Sequence, residues 1–231
     1  MKFFPTTVIK IVQETSDSYS FLLEIPAGYT WKAGQHAAWQ LQGYPLDPQD
    51  RDTRIFTIAS VPEDGCLMFT TRIAEPHTSF KDTLLRRLKP GDTMGVAAPL
   101  GSFAFHPGAY DKALLLAGGI GITPLRSLLR AYAEAPAAGY ALTLLYSDDR
   151  GEFAYNGFWD ELKQTVPALD IRLLADRDKF MADTDAYAKE HGNTAEYLIA
   201  GSPGMNRAFT ERLTGLGVSA DHIVTDVFHG Y

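Results

Sequence analysis

A continuous apolar run, Ala113-Leu114-Leu115-Leu116-Ala117, leads into Gly118-Gly119-Ile120-Gly121-Ile122-Thr123-Pro124, and this junction constrains the fold more than any other feature. A strand that is apolar on both faces must be covered on both, as in a parallel sheet between helices. The glycines permit a tight turn. Thr123 suits a helix cap, and Pro124 suits a first helical turn, where its missing N–H costs nothing. Leu125, Leu128, Leu129 and Tyr132 then keep one face of a helix. Further strands are expected over 141–146, 171–174, 197–200 and 223–228, with helix-like stretches between them. That alternation predicts a five-stranded parallel α/β domain.

The preceding half has a different grammar. Short segments over 8–12, 20–25, 37–41, 54–60, 67–73 and 93–97 read as strands. Turn-rich pieces such as Glu63-Asp64-Gly65 and Lys89-Pro90-Gly91-Asp92 separate them. Six such strands predict a small antiparallel barrel or sandwich. One helix interrupts it over 79–88, where Phe80, Leu84, Leu85 and Leu88 keep helical spacing. The grammar changes after Phe105-His106-Pro107-Gly108, which divides the chain into 1–107 and 108–231.

Charge excludes one class of partner. Residues 1–107 carry 10 Lys and Arg against 11 Asp and Glu, and residues 108–231 carry 11 against 17. Without a basic excess to neutralise phosphates, nucleic-acid binding is not expected. Cys66 is the sole cysteine, so neither an internal disulfide nor a Cys-ligated iron–sulfur cluster can form within the chain. The start, Met1-Lys2-Phe3-Phe4-Pro5-Thr6, runs into alternation rather than an apolar stretch. The expectation is a cytoplasmic monomer without signal peptide or membrane anchor.

Two sites emerge from the residues. A helix N-terminus offers unpaired N–H groups and a positive dipole end. At the turn, Gly119 and Gly121 would let a dinucleotide's phosphates approach backbone without a Cβ in the way. On the strand 54–60, Arg54, Phe56, Ile58 and Ser60 point one way, while Ile55, Thr57 and Ala59 point the other. Such a strand can offer a guanidinium to a phosphate, a hydroxyl or N–H to a flavin ring nitrogen, and an aromatic face to the ring or its ribityl chain.

The motif Arg54-Ile55-Phe56-Thr57-Ile58-Ala59-Ser60, with Gly118-Gly119-Ile120-Gly121-Ile122-Thr123-Pro124 some sixty residues later, resembles the ferredoxin–NADP reductase superfamily. Trp31-Lys32-Ala33-Gly34-Gln35-His36, Pro99-Leu100-Gly101-Ser102-Phe103, Gly201-Ser202-Pro203-Gly204-Met205 and Phe228-His229-Gly230-Tyr231 agree with it in order. The resemblance implies a six-stranded antiparallel Greek-key barrel that binds flavin, followed by a five-stranded parallel α/β nucleotide domain. It implies non-covalent FAD, and NADPH or NADH as hydride donor.

Carried over position by position, Arg54 would bind the flavin pyrophosphate, Phe56 the isoalloxazine–ribityl region, and Thr57 would act near flavin N5. Ile58, Ser60 and Thr71 join that flavin-binding set. The helix start at Thr78, Ser79 and Phe80 would cradle the pyrophosphate. Gly119, Gly121, Thr123 and Pro124 would hold the nicotinamide cofactor's phosphates, and Gly201, Pro203 and Met205 would lie near its ring. Phe228 or Tyr231 would cover the flavin face. The Cys that often precedes Gly-Pro in the late loop is Ala200 here, so hydride geometry is expected to differ.

The coenzyme is left open between NADH and NADPH. Asp176 accepts hydrogen bonds from ribose hydroxyls and repels a 2′-phosphate, whereas Arg177 and Arg150 welcome one. The six histidines, at 36, 77, 106, 191, 222 and 229, show no metal spacing, and no metal site is expected. Lys81, Arg86, Arg87 and Lys89 form a basic cluster that an acidic carrier such as ferredoxin or flavodoxin could meet. The reading is therefore a flavin-dependent NAD(P)H oxidoreductase serving a separate acceptor. A reductase of free flavin and a non-catalytic electron-transfer subunit are the alternatives.

Overall fold

The computed structural model describes residues 1–227, and the chain divides into two units, Met1–Ser102 and Phe103–Tyr231. The first contains strands β1 (Phe3–Gln13), β2 (Ser18–Leu23), β3 (His36–Leu41), β4 (Thr53–Thr57), β5 (Leu67–Arg72) and β6 (Thr93–Ala97), with helix α1 (Ser79–Arg86) between β5 and β6. They form one antiparallel sheet in the order β4-β3-β6-β1-β2-β5. β1 exceeds its expected span because it serves two partners. Phe3 to Thr7 pair with β6, and the segment from Val8 to Gln13 pairs with β2 across an irregularity between Val8 and Lys10.

β4 stops at Thr57, short of the expected 60, for a related reason. Up to Thr57 the strand pairs with β3. Beyond it the Ile58 N–H donates to Gln35 O at 2.9 Å and the Ala59 N–H donates to Met68 O at 2.7 Å. The chain thus leaves one edge strand and joins the other, drawing the sheet towards a barrel. Inside lie Trp39, Phe21, Phe69 and Leu67, all buried, and α1 closes the core with Phe80 and Leu84. Phe21 and Phe69 stack at 4.8 Å. Each such side chain contributes roughly 2–3 kcal/mol through burial.

In the second unit β7 (Lys112–Gly118), α2 (Ile122–Glu134), β8 (Ala141–Ser147), α3 (Asn156–Thr165), β9 (Leu169–Leu174), α4 (Arg177–His191), β10 (Glu196–Gly201), α5 (Pro203–Gly215) and β11 (Ile223–Val227) alternate. The five strands are parallel, in the order β11-β10-β7-β8-β9. Ala113, Leu114, Leu115, Leu116 and Ala117 are all fully buried, as a sheet covered on both faces demands. The chain steps outward from β7 through β8 to β9 and then returns to β10 on the other side of β7. That reversal opens a crevice at the carboxyl ends of β7 and β10. The last residue of the expected strand 223–228, Phe228, lies outside the described residues.

At the opposite end of the sheet, the buried Glu196 carboxylate accepts the His106 N–H at 2.8 Å, meets His106 Nδ1 at 2.8 Å, and accepts the Tyr140 hydroxyl. Burial pushes the Tyr140 phenol well above its ordinary range, and the Glu196 carboxylate pushes it further. This cluster, with Phe105 edge-on to Tyr132 and Tyr140, ties the stretch 103–107 to the second unit.

Candidate functional site

α1 starts where the sequence supplies a cap. Thr78 has extended backbone, and its hydroxyl accepts the Lys81 N–H at 3.3 Å. The next two residues turn their donors outward, and the chain provides an anion for them. The Asp50 carboxylate accepts the Phe80 N–H at 2.8 Å and the Ser79 hydroxyl at 2.9 Å. On its other oxygen it pairs with the Arg54 guanidinium and accepts the Arg51 N–H at 2.8 Å. Burial pushes this carboxyl up. The Phe80 N–H, the Ser79 hydroxyl, Arg54 and the Arg51 N–H outweigh it and hold the pKa at about 2. A guanidinium, a hydroxyl and a helix-terminal N–H gathered on one carboxylate form a seat with the donors a phosphate requires.

Arg54 is placed by more than its charge. It also donates to Arg51 O at 3.0 Å and Thr53 O at 2.9 Å, and its guanidinium lies 5.1 Å from the centre of the Phe80 ring. Phe56, on the same face of β4, stacks on Phe69 at 5.0 Å and lies 6.2 Å from Phe80. Lys81 donates to Arg72 O at 2.7 Å. Burial and the neighbouring Arg54 and Arg72 lower its ammonium pKa. Tyr44, Leu46, Asp47, Pro48, Asp50 and Arg51 line an open depression of about 600 Å³ on the flank of the seat.

The other flavin candidates are buried in the barrel. Thr57 is buried opposite His36. Ile58 is fully buried, and Ser60 accepts the Met68 N–H on its hydroxyl at 2.9 Å and the Trp31 ring N–H on its carbonyl at 2.8 Å. Thr71 is buried in β5, paired with Tyr19. The structure therefore gathers Arg54, Phe56, Ser79 and Phe80 around α1, with Thr78 capping it, and places Thr57, Ile58, Ser60 and Thr71 as buried residues of the barrel. Asp50 was not among the expected residues.

The glycine turn of the second unit sits at the crevice. Gly119 to Gly121 form a single 3-10 turn that runs straight into α2. Gly119 has φ of +51° with open space where a Cβ would go. A Cβ on Gly121 would collide with the Ala200 carbonyl, so only glycine lets the turn lie against the end of β10. Thr123 does not cap the helix. Because the turn is already helical, the cap position falls to Gly121, and the Thr123 hydroxyl donates instead to Ile120 O at 3.2 Å. Pro124 is buried in the first turn of α2.

The late loop builds the other wall of the crevice. Ser202 caps α5 by accepting the Met205 N–H at 3.2 Å, and Pro203 is the first residue of that helix. The Met205 thioether lies over Gly118 and Gly201, where a Cβ on either would strike its sulfur. Gly119, Gly121, Thr123, Gly201 and Met205 are thus brought together at the ends of two adjacent strands. The coenzyme candidates stand farther along the same edge. Arg150 follows β8 and pairs with Asp148 at 3.6 Å and Glu152 at 4.0 Å. The Asp176 carboxylate caps α4 by accepting the Asp178 N–H at 2.8 Å and the Lys179 N–H at 3.1 Å, and the exposed Arg177 opens that helix. Phe228 and Tyr231 lie outside the described residues.

Residues 115–211 match the oxidoreductase NAD-binding domain family. The chain is 34% identical over 157 residues to ferredoxin–NADP reductase B of Sorangium cellulosum, covering 68% of this chain and 58% of that protein. Among solved structures, a ferredoxin reductase of carbazole 1,9a-dioxygenase aligns with a TM-score of 0.79 at 22% identity, over 99% of this chain and 70% of the other. The ferredoxin–NADP+ reductase of Plasmodium falciparum with 2′P-AMP aligns with a TM-score of 0.79 at 14% identity, over 98% and 97%. These two likenesses establish the fold. The chain spans between 38% and 58% of the length of the first relatives it matches.

Proposed function

The chain belongs to the ferredoxin–NADP reductase superfamily, and from that premise we propose that it is an NAD(P)H-dependent flavoprotein reductase. FAD held by the chain would supply redox chemistry between NAD(P)H as hydride donor, with N5 as the accepting atom, and a separate electron acceptor such as a ferredoxin or flavodoxin. The single observation that carries this reading is the anion seat of the first unit, where Arg54, Ser79 and the Phe80 N–H converge on one carboxylate. A nucleotide domain alone serves many chemistries, and a barrel with a phosphate-type seat narrows them.

The chain's own residues bind and orient. Arg54 and the start of α1 would neutralise the flavin's diphosphate, and Phe56 would offer its ring to the isoalloxazine–ribityl region. In the second unit, the backbone of Gly119 and Gly121 would meet the dinucleotide's phosphates at the start of α2, whose dipole favours negative charge. Thr57 near N5, and Phe228 or Tyr231 over the ring, are the proposed catalytic contacts. No general acid or base is required of the protein, whose part is positioning and electrostatics. The Sorangium cellulosum relative's name supports a ferredoxin-type acceptor. The basic residues on and next to α1 are partly engaged at home, since Arg86 pairs with Asp82 at 3.0 Å and Arg87 lies over the Tyr44 ring.

The test is NAD(P)H oxidation by the FAD-reconstituted protein with ferricyanide as acceptor. Flavin-dependent turnover with at least one nucleotide supports the proposal, and none with either contradicts it.

A further inference from the structure

We propose that Asp50 is a built-in competitor for the flavin phosphate seat, so that phosphate-bearing flavin enters only as this side chain leaves and is held loosely enough to exchange. The inference rests on the reading above, in which the seat receives a flavin phosphate. A carboxylate and a phosphate oxygen seek the same donors, and here the carboxylate takes them together: the Arg54 guanidinium, the Ser79 hydroxyl and the Phe80 N–H. Two anions on one set of donors repel, so occupancy by one excludes the other.

The segment that carries Asp50 is suited to leaving. Asp47, Pro48, Gln49, Arg51 and Asp52 are exposed, and Asp50 alone among these neighbours turns inward, its side chain 9% accessible. Besides Asp50 itself, the stretch 47–50 touches α1 through the Asp47 N–H, which donates to Ser79 Oγ at 3.0 Å. Upstream, Tyr44 stays pinned beneath the Arg87 guanidinium, and downstream Asp52 O is held by the Leu41 N–H at 2.9 Å. Release therefore needs a short excursion between two fixed points. The competition makes flavin behave more like an exchanging substrate than a locked prosthetic group, and it acts only on flavins that carry phosphate.

The experiment titrates the apoprotein with FAD, FMN and riboflavin, comparing wild type with Asp50→Asn and Asp50→Ser, each checked for a cooperative thermal transition. Removing the charge should lower the dissociation constants for FAD and FMN by about tenfold or more and leave riboflavin unchanged. Unchanged or weaker FAD binding in both variants overturns the proposal while leaving the flavin reading intact, and makes Asp50 a positioning residue for Arg54. Inorganic pyrophosphate separates the two ideas. If no flavin binds but pyrophosphate raises the Tm of Asp50→Asn more than that of wild type, the competition stands and the flavin reading falls. If neither flavin nor pyrophosphate binds any form, both fall.

Discussion

Arg54 is a cation with a side chain 23% accessible, and its surroundings decide what it can do. Phe80 gives its plane a surface, two backbone carbonyls fix its fork, and Asp50 neutralises it. Arg54→Ala removes the strongest donor of the seat and should weaken FAD binding by about tenfold to a hundredfold, read by fluorescence titration. A variant that keeps full affinity would end its assigned role. Asp50 makes a second prediction through pH. Its carboxyl is held below the ordinary value of 3.8, at about 2, in the folded state. A depressed carboxyl stabilises the fold above its unfolded pKa and loses that contribution as pH falls through the folded one. Wild type should therefore exceed Asp50→Asn in stability by about 1–2 kcal/mol at pH 6, with the gap closing between pH ~4 and ~2. A gap independent of pH in urea melts would show that the charge plays no part. Asp50 was hidden in the sequence because it stands among Asp47 and Asp52 in a polar stretch, where three carboxylates look alike. Only the fold shows which one turns inward. Glu196 was hidden for another reason, since its partners Tyr140 and His106 are 56 and 90 residues away.

At the scale of elements, most of the architecture was legible because period and punctuation agree. The buried run of β7, the face of α2 and the alternation of the barrel strands all carry local signals. What was not legible are the places where one segment changes partner. β1 runs from β6 to β2, and the segment after β4 crosses from Gln35 to Met68, events set by tertiary pairing rather than by alternation. The helical start at Gly119 likewise moved the cap from Thr123 to Gly121. The crevice gives a prediction from packing. Gly121→Ala drives a Cβ into the backbone of Ala200 and Gly201, which no rotamer relieves, and should cost about 3 kcal/mol or more. Gly118→Ala meets only the flexible Met205 thioether and has ordinary extended backbone, so it should cost about 1 kcal/mol. Equal losses in chemical denaturation would refute the close approach of α2 to β10.

Taken whole, the molecule joins two units with separate cores, and the unit that carries the glycine turn also carries most of the negative charge. An anionic coenzyme must then be won locally, by helix dipole and backbone N–H groups, rather than by the field of the domain. Among the described residues, no helix is long and apolar enough to cross a membrane. The central claim is that one chain brings together flavin and NAD(P)H for hydride transfer. It is tested most directly by the visible spectrum of the FAD-loaded protein, recorded anaerobically as NADH and then NADPH is added. The account predicts a flavin band that bleaches on addition of one of them. A flavin band unchanged by both nucleotides, or a protein that takes up no flavin at all, would contradict it.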